Sequence, residues 1–359
     1  MKIKLFDPFI DNSEKKAIER ILISKFWASG AGTGDVLKFE NEFKNFIKSD
    51  SCVAVNSGTA ALNLAVSLLD IKNKEVILPS LSFVSTANCV LINGGIPKFV
   101  DVDPLTLCID PNLIKNKINK KTKLIIPVHF GGYPCQIDKI NQIAKKNNLL
   151  VIEDAAHAVN TKFNNQKIGK HSFATCFSFH PVKNLAMPTG GLISINHKDH
   201  KILTRKLKSL RWCGISNRRS TEYDITELGN NYYMNEFSAA IGLVQLKKIH
   251  KITKIKQKIA KRYFKEINIE NKMPYDTRSS YHLYWIRVKN RKKFRDYLHK
   301  KNIETGTHYK PIHTFSFYNK RISLPITEEI SKEIVTIPIH PNLQENEIDK
   351  IISAINKIN

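Results

Sequence analysis

Short apolar runs alternate with amphipathic helical stretches through much of the first half of the chain, from about residue 52 to 195. The runs are continuous rather than alternating with polar residues, which is typical of strands buried on both faces. They are CVAV, EVILPS, IPKFVDV, KLIIPVHF and LLVIEDAA. Strand and helix in regular alternation predict a largely parallel sheet with helices on both sides.

Helical patterns dominate the next part of the sequence, at 198–211 and 234–268, and the second is long enough to link two domains. The remainder, from about residue 255, mixes strand patterns (YHLYWIRV, IVTIPIH) with helical ones (KKFRDYLHKKN, ENEIDKIISAINKI). We therefore expect a large α/β domain over residues 1–250 and a smaller α+β domain over residues 251–359.

The composition is that of a globular protein: 359 residues, 42% hydrophobic and 25% charged, enough for a large core. The N-terminal segment MKIKLFDPFIDNSEKKA lacks the apolar run of a secretory signal, and no window approaches the ~18 consecutive apolar residues of a membrane span. A cytoplasmic protein that does not bind membranes is expected.

Six cysteines are scattered singly, without the spacing of a zinc site or a disulfide framework, so we expect no metal.

The net charge of +25 raises the alternative of a nucleic-acid-binding protein. The basic residues, however, are spread along helical segments such as IAKKNN and LKKIHKITKIKQKIAKRY, which also carry an apolar period. No zinc-finger, basic-zipper or RNP pattern accompanies them. A generally basic surface is the favoured interpretation, and no nucleic-acid partner is expected.

Ligands of a doubly wound sheet lie at the carboxyl ends of its strands, so residues that follow each apolar run are candidates for binding. In VNSGTAALNLAV a strand turns directly into a helix, and Gly58 allows the backbone to approach a ligand closely. Free N–H groups and a hydroxyl at a helix N-terminus suit a phosphate. The alternative is that Ser57 or Thr59 only caps the helix.

Two carboxylates end the run LLVIED. Alternation along a strand sends Glu153 and Asp154 to opposite faces, so they cannot act together at one point. Asp154, at the end of the strand, is placed to face a ligand and to balance a cationic group. An acid that caps the next helix is the alternative.

The segment FSFHPVKNLAMPTGG contains one lysine, Lys183, among apolar and aromatic residues. An unpaired ammonium in such surroundings loses its proton readily, and desolvation prepares a lysine to act as a Schiff-base nucleophile. The alternative is a lysine in a surface turn. A phosphate site, a strand-end carboxylate and an isolated lysine at one edge of a sheet are together what pyridoxal 5'-phosphate requires.

The chain resembles the DegT/DnrJ/EryC1/StrS group of sugar aminotransferases nearly from end to end. The resemblance lies in VNSGTAAL, VILPSLSFVSTANCVLINGGIPKFVDVDP, LIIPVHFGGYP, VIEDAAHA, GKHSFATCFSFHPVKN, LGNNYYMNEFSAAIGLVQL, THYKPIH and IPIHPNL. It implies a fold-type I enzyme: a large α/β domain with a mainly parallel, seven-stranded type of sheet flanked by helices, and a smaller C-terminal α+β domain.

The resemblance also implies roles for individual residues. Lys183 would be the catalytic lysine that bonds the cofactor pyridoxal 5'-phosphate, and Asp154 would pair with the ring nitrogen. Phe83 would stack on the ring, and His157 would lie near its 3-hydroxyl. The phosphate would be held by Gly58, Thr59 and Ser178, and by Asn231 of the neighbouring subunit of a homodimer. The sugar-nucleotide side would be lined by His308, Tyr309 and the loop WASGAGTGD.

The implied reaction is a ping-pong transamination from an amino donor, usually L-glutamate, to a nucleotide-linked keto sugar, with Lys183 moving the proton. Two segments depart from the family pattern. An acidic residue commonly precedes the Gly-Gly pair, where this chain has Pro188 and Thr189, and an arginine commonly stands at Tyr233. The first departure bears on substrate contacts and the second on the subunit interface.

Two alternatives remain. One is a dehydratase of the same fold, in which histidine replaces the lysine, whereas Lys183 is present here. The other is a regulatory or nucleic-acid-binding relative, which would lack a cofactor residue, whereas Asp154, Ser178 and Lys183 are all in place.

Overall fold

The computed structural model describes residues 2–318 and 322–358. The α-helices in these ranges are α1 (Asn12–Ser24), α2 (Asp35–Ile47), α3 (Gly58–Ser67), α4 (Ser85–Ile92), α5 (Pro111–Ile114), α6 (Ile137–Lys146), α7 (His200–Leu210), α8 (Glu236–Glu266), α9 (Arg291–Lys300), α10 (Pro325–Glu333) and α11 (Glu345–Ile358). The β-strands are β1 (Ser51–Val55), β2 (Glu75–Pro79), β3 (Ile96–Val100), β4 (Thr122–Ile125), β5 (Leu150–Asp154), β6 (Lys162–Phe163), β7 (Gln166–Lys167), β8 (Ala174–Ser178), β9 (Gly191–Ile195), β10 (Ile215–Arg219), β11 (Glu222–Ile225), β12 (Tyr284–Arg287) and β13 (Ile334–Ile337).

The central sheet has seven strands in the order β1-β9-β8-β5-β4-β2-β3. All neighbours from β8 to β3 are parallel, whereas β9 is antiparallel to both β1 and β8. The prediction of a mainly parallel sheet flanked by helices is confirmed. Because β9 reverses direction between them, β1 and β8 run the same way, and the carboxyl ends of β1, β5 and β8 meet at one edge.

Apart from Ile96 at the start of β3 and Lys123 in β4, which are exposed, the strands of this sheet are largely buried on both faces, as their continuous apolar sequences predict. Every residue of β8 is buried. Phe177 packs in the cluster that includes residues of α2, α6 and α8, and Cys176 in the cluster that includes residues of α3, α4 and α7. The two helical layers therefore hold the sheet from opposite sides and fix the position of its carboxyl edge.

The helix α8 contains 31 residues and passes from the central sheet to the C-terminal part of the chain. There, β12 and β13 pair in an antiparallel ladder, and Ile3 of the N-terminal segment forms a parallel bridge with Ile303. The boundary expected at residue 250 falls inside α8, so the division into residues 1–250 and 251–359 stays a prediction.

One element is shorter than its sequence suggests. The amphipathic stretch DPNLIKNKIN, one of those that alternate with the apolar runs, predicts a helix but forms a single turn, α5, followed by a 3₁₀ turn at Lys115–Lys117. Asp110 caps its first turn and Pro111 suits that position, but Ile118 is already extended, and no apolar period continues the helix.

No helix in the described ranges combines the length and apolarity required to cross a membrane.

Candidate active site

A cavity of about 370 Å³ lies at the carboxyl edge of the central sheet. Residues that follow β1, β2, β5 and β8 line it, as expected for a ligand site in a doubly wound fold. It brings together most of the site residues expected from the sequence: Gly58, Thr59, Phe83, Asp154, His157, Ser178, Lys183, His308 and Tyr309.

One end of the cavity is the N-terminus of α3. The Ser57 hydroxyl accepts a hydrogen bond of 3.1 Å from the Ala60 N–H, so Ser57 is the cap of this helix. The Thr59 hydroxyl lies 2.7 Å from the Ser85 hydroxyl. A helix start leaves N–H groups without intrahelical partners, and Ser57 satisfies that of Ala60. Capping and anion binding are therefore compatible at this turn.

Gly58 allows a close approach between the start of α3 and the end of β8. A Cβ atom at this position would lie 2.7 Å from the Cβ of Ser178, closer than carbon atoms can pack. The last residue of β8 and the first residue of α3 therefore meet in the cavity wall. Their backbone and hydroxyl groups form the polar end that a phosphate requires.

The two acids of β5 separate as alternation predicts. Glu153 is fully buried and lies 2.8 Å from His129 Nε2, and its other oxygen accepts from Thr175 at 3.2 Å. Asp154 faces the cavity, where Oδ2 accepts a hydrogen bond of 2.8 Å from the Thr86 hydroxyl. Glu153 therefore has a structural role, and Asp154 is the acid available to a ligand.

Burial raises the pKa of the Asp154 carboxyl, although hydrogen bonds from Thr86 and the Ala156 N–H and the charge of Lys183 act in the opposite direction. A carboxyl group in this setting is stabilised in its ionised form by a cationic partner. A protonated pyridine nitrogen is such a partner. The sequence-based expectation for Asp154 is compatible with this geometry.

Lys183 is half-buried in the loop between β8 and β9. Burial lowers the pKa of its amine from the usual 10.5 to about 8, and the negative charge of Asp154 partly offsets that effect. A large fraction of the amine is thus unprotonated near pH 8. This is the state in which a lysine is nucleophilic and can accept a proton.

Another wall of the cavity is aromatic. His157 Nδ1 accepts a hydrogen bond of 3.2 Å from the Gly131 N–H, and its Nε2 lies 3.1 Å from the Tyr309 hydroxyl. Burial holds the pKa of His157 well below 6.5, so the ring is neutral, and Nε2 carries its hydrogen toward Tyr309. Phe83 is 57% exposed, which leaves its ring open to the cavity, 6.3 Å from that of Tyr309.

His308 completes this wall. Its Nδ1 lies 2.8 Å from the Thr336 hydroxyl, and burial lowers the pKa of the ring to about 4. A neutral imidazole next to Tyr309 offers hydrogen bonds without carrying charge at neutral pH.

Asn231 and the loop WASGAGTGD lie outside the lining of this cavity. Asn231 is exposed, and its carbonyl accepts a hydrogen bond of 3.2 Å from the Asn56 side chain. In the loop, Ala28 bridges to Asn235, and the carbonyl of Ala31 accepts from Arg211 at 3.0 Å. Their expected roles toward a partner subunit and a nucleotide remain predictions.

The segment that departs from the family pattern contributes to the cavity. Thr189 lines it, and its hydroxyl donates a hydrogen bond to the Asn56 carbonyl. A neutral hydroxyl therefore stands where the family commonly has an acid, beside the turn that leads to Gly58.

Three residues with contacts in or near the site were missed in the sequence. Thr86 lies three residues after Phe83 in α4, and its place at the start of a helix was the available signal. His282 Nε2 lies 3.5 Å from Lys183 Nζ, and the buried Lys256 donates to Asn184 Oδ1 at 2.6 Å. Neither of the last two stands in a pattern that distinguishes it from a core or surface residue.

These features fit pyridoxal 5'-phosphate. Gly58, Thr59 and Ser178 provide a polar end without a carboxylate, Asp154 provides a buried acid, and Lys183 provides an amine of lowered pKa in the same cavity. Each group matches one part of the cofactor: the phosphate, the ring nitrogen and the aldehyde.

Comparison with known proteins agrees with the site. The model of the DegT/DnrJ/EryC1/StrS aminotransferase family matches residues 8–356. The spore coat polysaccharide biosynthesis protein SpsC of Bacillus subtilis is 33% identical over 377 residues, covering 98% of this chain and 95% of SpsC.

Solved structures show the same fold. The Helicobacter pylori aminotransferase PseC, involved in pseudoaminic acid biosynthesis, superposes with a TM-score of 0.93 at 27% identity, covering 99% of both chains. The PLP-form of the putative sugar aminotransferase Spr1654 from Streptococcus pneumoniae has a TM-score of 0.94 at 26% identity, covering 100% of this chain and 98% of Spr1654. This chain therefore belongs to the DegT/DnrJ/EryC1/StrS aminotransferase family, as a sugar aminotransferase whose cofactor is pyridoxal 5'-phosphate.

Proposed function

We propose that this protein transfers an amino group from L-glutamate to the ketone carbon of a nucleotide-linked sugar in a ping-pong reaction. The observation that carries the proposal is the joint presence of Lys183 and Asp154 in one cavity, with the start of α3 at the same edge of the sheet. A cytoplasmic location stays a prediction from the sequence.

The proposed contacts follow the shape of the cavity. Gly58, Thr59 and Ser178 hold the phosphate, and Asp154 faces the ring nitrogen. Phe83 covers one face of the ring, and its high exposure is consistent with a surface kept for a ligand. His157, whose neutral ring is oriented by Gly131, lies on the side of the 3-hydroxyl.

Lys183 performs the proton transfer in this proposal. Bound pyridoxal phosphate supplies an electron sink that stabilises the negative charge left when the donor's α-carbon loses its proton. Lys183 Nζ accepts that proton in the first half of the reaction and returns a proton to the new amine-bearing carbon of the sugar in the second. A pKa of about 8 lets the amine act in both directions near neutral pH.

The acceptor side is assigned to His308 and Tyr309, whose ring nitrogens and hydroxyl group suit sugar hydroxyls. The roles of SpsC in polysaccharide biosynthesis and of PseC in pseudoaminic acid biosynthesis support an activated sugar as the acceptor. A nucleotide diphosphate is also attracted by a protein of net charge +25.

We further propose a homodimer in which Asn231 reaches the cofactor phosphate of the neighbouring subunit. Asn231 is exposed, and apolar side chains near it in sequence are exposed as well, including Tyr223 at 54% and Leu228 at 95%. Trp27, in the loop bridged to Asn235, is 52% exposed. Exposed apolar side chains of this kind favour a protein partner.

The test has two stages. Purified protein is incubated with pyridoxal phosphate, treated with borohydride and digested, and the cofactor is expected on the peptide that contains Lys183 in the wild type and to be absent from Lys183→Ala. The protein is then screened with UDP-, dTDP- and GDP-linked keto sugars for amination that depends on glutamate.

Several results would contradict this proposal. Cofactor bound at another lysine would remove Lys183 from its role. Loss of a sugar hydroxyl without gain of nitrogen would identify a dehydratase. Salt-sensitive DNA binding without cofactor uptake would favour the regulatory alternative.

A further inference from the structure

His282 is a buried histidine in contact with the catalytic amine. It lies between α8 and β12, 99 residues from Lys183 in sequence, and its side chain is 1% exposed. Its Nε2 is 3.5 Å from Lys183 Nζ. Within residues 2–318 and 322–358 the amine makes no other hydrogen-bonding contact, so His282 bears directly on where Nζ points.

The chemistry of the contact follows from the charges around it. Burial, together with the positive charges of Lys183 and Lys256 and the rings of His157 and His308, lowers the pKa of His282 well below 6.5. The ring is therefore neutral, with one hydrogen and one lone pair. While Lys183 is an ammonium it can only donate, so Nε2 of His282 is then the acceptor, and Nδ1, which has no hydrogen-bond partner in the described part of the chain, carries the hydrogen.

A neutral acceptor orients the Lys183 amine without adding a negative charge next to it. A carboxylate beside Lys183 would strongly favour the ammonium form and raise the pKa of the amine. The imidazole of His282 orients the ammonium through a hydrogen bond with no net charge of its own. The amine is thus directed by a neutral group, while burial and the charge of Asp154 bring its pKa to about 8.

The ring of His282 is itself fixed in place. Phe6 stacks on it with centroids 5.6 Å apart and planes at 17°, and the His157 ring lies 4.4 Å away. Rotation of the imidazole would disturb both packing contacts. Nε2 is therefore held toward Lys183.

Lys256 joins the two segments that carry Lys183 and His282. Its Nζ donates to Asn184 Oδ1 at 2.6 Å and lies 3.5 Å from the His282 carbonyl oxygen. Asn184 directly follows Lys183, and its Nδ2 donates to the Ser280 carbonyl at 2.9 Å. A buried side chain of α8 thus keeps the lysine loop and the histidine segment in register.

We propose that His282 is a positioning residue for Lys183: whenever the amine is not bonded to the cofactor, Nε2 of His282 accepts its hydrogen bond and keeps Nζ directed into the cavity. Lys256 supports this arrangement through Asn184 and the His282 carbonyl. The inference rests on the proposed aminotransfer, in which Lys183 must move a proton between defined atoms.

The test compares His282→Phe, which keeps a flat ring for Phe6 but has no acceptor, with His282→Gln, which keeps one. In the cofactor-free protein, competitive acetylation of Lys183 across a pH series, read by mass spectrometry, measures the pKa of the amine. A value near 8 is expected for the wild type and His282→Gln. A lower value is expected for His282→Phe, because its ammonium form loses a hydrogen-bond acceptor.

In the cofactor-loaded enzyme, the half-reaction with glutamate is followed by stopped flow, using glutamate and its α-deuterated form. The rate in His282→Phe is expected to fall about ten- to a hundredfold. Its isotope effect should increase, because proton transfer becomes slower, and His282→Gln should recover most of the rate. Thermal melting of each variant reports whether the fold is retained, and His282→Met replaces His282→Phe if the latter does not fold.

An unchanged acetylation pKa and an unchanged rate in His282→Phe would overturn the inference. Equal losses in His282→Phe and His282→Gln with no change in isotope effect would assign His282 a purely structural role and overturn it as well. A wild-type enzyme that binds the cofactor at Lys183 but does not react with glutamate would instead contradict the proposed donor. The acetylation series would still test the contact between His282 and Lys183 in that case.

Discussion

Thr86 donates a hydrogen bond of 2.8 Å to Asp154 Oδ2 in the lining of the cavity. The bond joins the first turn of α4 to the end of β5 and favours the ionised carboxyl, against the effect of burial. A side chain outside the sequence-based set of site residues therefore helps to keep ionised the acid that is expected to face the cofactor.

Replacing Thr86 with valine is expected to raise the pKa of Asp154 further. Cofactor affinity should fall about tenfold or more, because a hydrogen bond to a charged group contributes about 1.5–3 kcal/mol. When the pH is lowered, Asp154 in the variant should take up its proton at a higher pH than in the wild type. Cofactor affinity should then decrease earlier in the titration, since protonated Asp154 cannot balance the positive charge of the pyridine ring. Spectroscopic titration with pyridoxal phosphate across pH measures both effects. Thr86→Ser keeps the hydroxyl and should behave like the wild type; equal losses in both variants would contradict the prediction.

Gly58→Ala is expected to weaken cofactor binding by displacing Ser178. The added Cβ would lie 2.7 Å from the Ser178 Cβ, so the start of α3 and the end of β8 must separate. Equilibrium dialysis of the cofactor should show a loss of about tenfold or more, because the phosphate end is displaced. Gly94→Asn is the control. Gly94 lies in a turn with φ +73°, a conformation that asparagine tolerates, and an added Cβ would lie 3.4 Å from its nearest atom, in the Lys72 side chain. Unaltered affinity in Gly58→Ala would show that the close approach is not needed.

The cofactor-free protein is expected to become more stable as pH rises above 7. Burial lowers the pKa of Lys256 to about 7 and that of Lys183 to about 8, so at higher pH the unfolded chain binds more protons than the folded one. Each lysine then contributes up to about 1.4 kcal/mol per pH unit, until the usual pKa of 10.5 is approached.

Lys256→Met should reduce this slope between pH 8 and 9, as measured by urea unfolding at each pH. The exposed Lys254 lies on the same helix, and Lys254→Met is the matched control, expected to keep the wild-type slope. Identical slopes in the wild type and Lys256→Met would show that Lys256 does not carry the effect.

The buried ion pair of Arg211 and Glu40 is expected to be essential for stability but not for chemistry. Arg211 Nη1 lies 2.6 Å from Glu40 Oε1, and both groups also bond the backbone of Ala54 in β1. Arg211→Met should lower the free energy of unfolding by about 3 kcal/mol, because the buried Glu40 loses its closer charge partner and keeps the partly exposed Lys208, whose Nζ lies 3.3 Å from Oε2.

The double variant Arg211→Met/Glu40→Met should lose less than the sum of the single losses in urea unfolding, since neither charge is then left alone. Strictly additive losses would argue against a coupled pair.

The sequence alone determined the architecture and the main chemical groups of the site. Continuous apolar strands, amphipathic helices and the turn at Gly58 are local patterns, and parallel strands necessarily bring their carboxyl ends to one edge. Alternation along β5 likewise separated Glu153 from Asp154 before any packing was known. Family resemblance added the roles proposed for Lys183 and Phe83.

Only the tertiary structure showed how these groups are oriented. The contact of His282 with Lys183 joins positions 99 residues apart, and the hydrogen bond of Thr86 to Asp154 joins positions 68 apart. No sequence period encodes such contacts, because they depend on how α4, α8 and the segment before β12 pack around the sheet. The sequence therefore determined which groups reach the cavity edge, and packing decided which neighbours set their charge and direction.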